Sequence, residues 1–205
     1  MRVVWQRCRL NWTSWQVRCT MDIPINIANT VIETDRLILR PWQESDLDDF
    51  YAYASVSGVG EMAGWPHHKS IDTSRQILES FITKKEVFAL YHKGDEKIIG
   101  SLGIHSSWAN DCEEYRHLKA KKLGYVLARE YWGQGLVPEA VKAVIDYCFT
   151  EVGLDAITIE HFKSNHQSRR VIEKCGFQYL RDGTHYSPAL DQYFEEMVYI
   201  LYKEV

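Results

Sequence analysis

The stretch Leu127-Ala128-Arg129-Glu130-Tyr131-Trp132-Gly133-Gln134-Gly135-Leu136-Val137-Pro138-Glu139-Ala140 decides how this chain folds. An apolar segment leads into it and two glycines sit at its centre. An apolar helical stripe leaves it: Val137, Val141, Val144, Ile145 and Cys148. It reads as a strand, a tight turn and a helix start. At such a start the first backbone N–H groups have no intrahelical partner and lie at the positive end of the helix dipole. Glycine allows backbone conformations closed to other residues and a close approach to a ligand. Pro138 falls in the first turn, where its missing N–H costs little. The combination is a cradle for phosphate.

Outward from this turn, strand-like and helix-like segments alternate. Leu37, Ile38 and Leu39 read as a first strand, after Thr34-Asp35-Arg36 and before Pro41. Ser45 is placed to cap a helix carrying Leu47, Phe50, Tyr51 and Ala54, and a second helix begins near Asp72. Val87–His92 and Lys97–His105 read as a hairpin through Gly94-Asp95. Residues 106–121 read as a long polar connection, with a strand following near Leu123–Ala128. Ala156–His161 is a strand, Gln167–Cys175 a short helix stopped by Gly176, and Phe177–Leu180 and Glu195–Tyr202 close as strands. The order predicts one α/β domain with a largely antiparallel front half.

Composition narrows the function. The chain has 205 residues, 45% hydrophobic and 25% charged, which suits one soluble domain and excludes wholesale disorder. Lys and Arg number 24 against 28 Asp and Glu, so a nucleic-acid partner is not expected. No apolar run reaches the roughly 18 residues of a membrane span, so no membrane partner is expected either. The five cysteines are odd in number and form no C-x-x-C, which predicts reduced thiols and a cytoplasmic protein. Eight histidines lack metal-ligand spacing, so no metal is expected. Residues 1–20 stand apart: four arginines, three tryptophans and no acid. Without those four of the 24 basic side chains, 20 face the same 28 acids, a charge of −8. Residues 1–20 are read as an arm or upstream extension, and 21–205 as the domain.

The turn alone leaves several phosphate ligands open. The triphosphate-binding G-x-x-x-x-G-K-[ST] is absent, and the dinucleotide fingerprint would need Gly or Ala where Pro138 stands. A second cluster, Asn165-His166-Gln167-Ser168-Arg169-Arg170-Val171-Ile172-Glu173-Lys174-Cys175-Gly176-Phe177, follows the next strand. Together with Thr34-Asp35-Arg36-Leu37-Ile38-Leu39-Arg40 and Tyr131-Trp132-Gly133-Gln134-Gly135, it resembles the GNAT superfamily of N-acetyltransferases, in particular the RimJ/RimL-like branch. The match runs in order from about residue 31 to the end.

That resemblance implies a mixed, mostly antiparallel twisted sheet flanked by helices and splayed between Leu123–Ala128 and Ala156–His161. It implies acetyl-CoA as co-substrate, held by Val126, Leu127, Ala128, Trp132, Gly133, Gln134, Gly135, Leu136, Val137, Asn165 and Ser168. Asn165 matches the side chain that bonds the pantetheine arm, and Ser168 the acid that meets the departing sulfur. Many relatives carry a tyrosine for that role where Ile172 stands. Relatives often have a glutamate near Lys122 as base; Glu160 is its substitute here, with His105 as the next candidate. Trp65, His67 and His68 are expected to line the site of the amine acceptor, a protein N-terminus or small amine. The oxyanion of direct attack would want backbone N–H donors, which a splayed strand offers. The contrasting readings are an acyl-CoA-binding module without turnover and a dinucleotide-dependent oxidoreductase.

Overall fold

The computed structural model of the chain describes residues 22–204. The arm, residues 1–20, lies outside the described residues. Eight strands form one sheet: β1 (Ile32–Glu33), β2 (Leu37–Pro41), β3 (Val87–His92), β4 (Lys97–Ser106), β5 (Ala120–Leu127), β6 (Ala156–Phe162), β7 (Gln178–Ser187) and β8 (Gln192–Tyr202). Their spatial order is β1-β2-β3-β4-β5-β6-β8-β7. Neighbours run antiparallel except β5 and β6, which are parallel. The helices are α1 (Leu47–Ala54), α2 (Ile71–Lys84), α3 (Leu136–Tyr147) and α4 (His166–Lys174). They pack as two pairs, α1 with α2 and α3 with α4, flanking the sheet. The expected fold class holds.

The core follows the apolar pattern. Val87, Phe88, Ala89 and Leu90 are consecutive and all buried, as a central strand covered on both faces requires. Leu136, Val137, Ala140, Val141, Val144 and Ile145 bury one stripe of α3. Cys148 and Cys175 are buried thiols, and burial pushes them up to about 12 and about 11. They behave as small hydrophobes.

Three local readings change. Ser45 does not cap α1: a 3-10 turn at Glu44–Asp46 leads in, and Asp46 takes the Gln43 amide at 2.8 Å and the Arg40 guanidinium at 2.8 and 2.7 Å. A buried, two-pronged ion pair outcompetes a serine cap. The polar connection is shorter than expected, because β5 begins at Ala120 and buries Lys121. Asp22 makes that possible, binding the Lys121 ammonium at 2.7 Å while accepting from Ser106 and Asn110. Finally, β7 and β8 form one long hairpin whose exposed faces hide the two-residue alternation.

What positions the site is a gap. β5 and β6 pair at Ala120–Lys122 with Ala156–Thr158 and then part. Beyond them, Leu123–Leu127 and Ile159–Phe162 face each other without a ladder, near the middle of the sheet.

Candidate active site

At the end of β5 the chain turns through Arg129–Tyr131 into Trp132, Gly133 and Gln134 and starts α3 after Gly135. Gly133 and Gly135 have φ of 78° and 79°, a left-handed conformation that favours glycine. A Cβ on Gly133 would meet nothing within 4 Å, so backbone conformation rather than crowding selects glycine there. Among the described residues, the amides of 133–137 donate to no protein acceptor. Five unpaired donors around a helix start fit an anion such as a pyrophosphate.

The loop is clasped from outside. Glu139, in the first turn of α3, accepts from Thr34 Oγ1 at 2.6 Å, the Arg36 amide at 2.9 Å and Arg36 Nε at 2.8 Å. Arg36 Nη1 donates to the Gln134 carbonyl at 2.9 Å. Burial alone would raise the Glu139 carboxyl; the hydrogen bonds from Thr34 and Arg36 outweigh it and hold it below the ordinary carboxylate value. The Thr-Asp-Arg segment before β2 is therefore structural in its action: it ties both the Gln134 carbonyl and the Glu139 carboxylate to Arg36. Trp132 Nε1 closes the other side, donating to the Leu127 carbonyl at 2.8 Å.

A cavity of about 1040 Å³ runs from this loop through the gap between β5 and β6. Of the residues expected to hold the co-substrate, Val126, Leu127, Trp132, Gly133, Gly135, Leu136, Val137, Asn165 and Ser168 line it. Ala128 and Gln134 do not. Ala128 is buried with its amide on the Ile99 carbonyl, and the Gln134 side chain folds back on the Glu130 carbonyl. Asn165 caps α4 by accepting from the Ser168 amide at 3.1 Å, and its Nδ2 reaches the Met62 carbonyl at 3.3 Å. Ser168 is buried, with its Oγ 2.8 Å from the Tyr125 hydroxyl. Tyr125 also donates to the Ser168 carbonyl at 3.3 Å, and burial raises its phenol well above the ordinary value. It stays a neutral donor. When it donates to Ser168 Oγ, the serine proton is free to point into the cavity.

The other face of the sheet carries a second set. Lys122, Glu160 and Glu196 lie on one side, as the β5–β6 and β6–β8 registers require, while Tyr125 lies on the opposite side. Lys122 Nζ sits 3.5 Å from Glu160 Oε2. His105 projects here too: a Cβ on Gly103 would collide with its ring, and burial lowers it below the ordinary histidine value. Both aromatic and histidine candidates for the acceptor sit in the 58–70 loop. Trp65 and His68 line the cavity and His67 does not. His68 is buried against Phe50 with Nδ1 on Ser74 Oγ at 2.7 Å, and His67 is held by Glu61 at 2.7 Å, so both histidines organise the loop. Among the described residues, no group of three His, Cys, Asp or Glu is arranged to hold a metal ion, and no helix is long and apolar enough to cross a membrane.

Residues 36–178 match the acetyltransferase (GNAT) domain. The chain belongs to the GNAT acetyltransferases. The uncharacterized N-acetyltransferase YoaA of Bacillus subtilis is 28% identical over 153 residues, 72% of this chain and 82% of YoaA. A GNAT-family acetyltransferase from Bacillus anthracis superposes with a TM-score of 0.73 at 21% identity, covering 84% of this chain and 98% of that one. The ribosomal-protein-S5-alanine acetyltransferase from Vibrio fischeri shares the fold at a TM-score of 0.66 and 20% identity, over 85% and 97% of the two chains. This GNAT chain is an acetyl-CoA-dependent N-acetyltransferase, and the oxidoreductase and non-catalytic readings are set aside.

Two residues of this GNAT site were not legible in the sequence. Tyr125 sits in an ordinary strand pattern, and only the approach of α4 to β5 pairs it with Ser168. Glu196 looks like any half-exposed strand glutamate until the hairpin brings it to the gap.

Proposed function

We propose that this GNAT enzyme transfers the acetyl group of acetyl-CoA to a primary amine by direct attack, with both substrates bound at once. The observation that carries this is the cavity's passage between β5 and β6, with residues from both sheet faces on its walls. A co-substrate resting on the amides of 133–137 would lie on the Tyr125–Ser168 side. An acceptor would enter from the Lys122–Glu160 side. The two then meet in the gap without a protein nucleophile between them, and proximity supplies much of the rate.

The protein's own groups do modest work. A thiol near pKa 8.5 leaves readily as thiolate, so a hydrogen bond from Ser168 suffices for the sulfur. Ser168 is the acid in this reading, with Tyr125 holding its hydroxyl. Glu160, in its ion pair with Lys122, places negative charge where an ammonium would arrive. Trp65 forms part of the acceptor wall. A protein N-terminus and a small amine both fit this chemistry, and the cytoplasm is where such acceptors and acetyl-CoA meet.

Thiol release from acetyl-CoA, followed with a panel of primary amines and N-terminal peptides, tests the reading. Double-reciprocal plots should intersect for simultaneous binding. Parallel lines would mean a covalent acetyl-enzyme and would overturn it.

A further inference from the structure

We infer that Glu196 of β8, and not Glu160, is the base that takes the proton from the acceptor amine. The inference rests on the acetyl-transfer reading. Glu196 lines the cavity just beyond the point where β5 and β6 part, paired across the ladder with Phe162 and two residues further into the opening than Glu160. Glu160 is committed to Lys122 at 3.5 Å, whereas Glu196 makes no side-chain hydrogen bond or ion pair among the described residues. Its carboxylate lies over Gly183, where a Cβ would come within 2.9 Å of Oε1. Glycine at that cross-strand position gives it room.

The charged groups facing it are Glu160 from β6, Lys122 from β5 and Arg181 from β7, and His105 and His185 line the same cavity. Burial and the Glu160 charge raise the Glu196 carboxyl, and Lys122 and Arg181 oppose the rise less strongly. A carboxylate raised above its ordinary value is a better proton acceptor than an unshifted one. The acceptor ammonium first gives one proton to solvent; the neutral nitrogen then bonds to the acetyl carbon, the carbon–sulfur bond breaks with its electrons on sulfur, the second nitrogen proton goes to Glu196, and the thiolate takes a proton relayed from solvent through the Ser168 hydroxyl.

Glu196→Gln and Glu160→Gln, assayed in the full chain with the best amine of the panel, separate the two carboxylates. Glu196→Gln should lower kcat about 100-fold, the lower end for a general base, and remove the acidic limb of the pH–rate profile. Stabilisation by CoA should be unchanged. Glu160→Gln should keep the limb and move it to lower pH, since the repelling charge is gone. A Glu196→Gln enzyme that keeps the wild-type rate and limb, or a limb lost in Glu160→Gln, would overturn the assignment. Carboxyl NMR titration of the free protein reads the same question without turnover. Glu196 should titrate above the usual glutamate range, and a value at or below it counts against the proposal even if no amine in the panel is acetylated. That last outcome would instead discredit the acetyl-transfer reading.

Discussion

The two walls of the cavity are built on different principles. The wall proposed for the co-substrate is mostly backbone: two left-handed glycines, a helix start and five amides unpaired among the described residues, fixed by a clasp of Thr34, Arg36 and Glu139. The wall proposed for the acceptor is mostly side chains, brought from β5, β6, β8 and the 58–70 loop. A backbone cradle recognises what every acetyl-CoA shares, so its chemistry is local and repeats along a short stretch of sequence. An acceptor wall recognises what varies, and side chains from distant strands can change one at a time.

The contrast predicts its own failures. Gly135→Val should have the largest effect. The φ of 79° is strained for a β-branched residue by about 1–3 kcal/mol, although the nearest atom to a Cβ would be Arg36 Nη2 at 3.7 Å. At 100 times its dissociation constant, CoA should stabilise the wild type by about 2.7 kcal/mol, a melting shift of about 5–11 °C for a chain of this size. The variant should fold and lose that shift, which differential scanning calorimetry reads. A retained shift would mean the amides of 133–137 are not the cradle.

Ser168→Ala should come next, lowering kcat about 10–100-fold with acetyl-CoA affinity nearly unchanged, because its hydrogen bond strengthens only as thiolate charge develops. Tyr125→Phe should give a smaller loss in the same assay, since it acts through Ser168. Equal rates for wild type and Ser168→Ala, with chemistry limiting, would leave the serine as a helix-start residue. Arg36→Ala should then weaken CoA binding about 5-fold, about 1 kcal/mol, by freeing the loop. Calorimetric titration with CoA measures it.

Smaller effects belong to the acceptor loop and the arm. Burial alone would raise Glu61, but hydrogen bonds from His67 and the Gly58 amide outweigh it and hold its carboxyl down at about 2. A depressed carboxyl stabilises the fold above its unfolded value, and that contribution disappears as pH falls from the ordinary 4.5 through about 2. Glu61→Gln should therefore flatten the acid-side loss of stability in that window, by less than about 1 kcal/mol because the pair is part-exposed. Acid titrations followed by circular dichroism would show it. A chain beginning at Met21 should lose less than about 1 kcal/mol in denaturant unfolding. It keeps Asp22, which binds Lys121, and Ile27, which is fully buried. A larger loss would make residues 1–20 part of the fold.

Legibility followed the same division. The hairpin of β3 and β4, the start of α3 at Gly135 and the short α4 ending at Gly176 were all readable, since periodicity and glycine placement act over a few residues. The entry to α1 was misread because Arg40 and Asp46 compete with Ser45 through a contact that spacing does not advertise. Of His67 and His68, both expected at the acceptor site, His68 lines the cavity and His67 does not, since histidine type says nothing about which neighbour takes its proton.

By itself the sequence determined the order of elements, the glycine turn at the start of α3 and the family to which the chain belongs. Each depends on interactions between residues close along the chain, or on motifs in a fixed order. Only the tertiary structure decided that Tyr125 meets Ser168, that Glu160 is spent on Lys122, and that Glu196 stands at the opening without a partner among the described residues. Those facts depend on where β5 and β6 stop pairing, a property of the whole sheet that no single segment encodes.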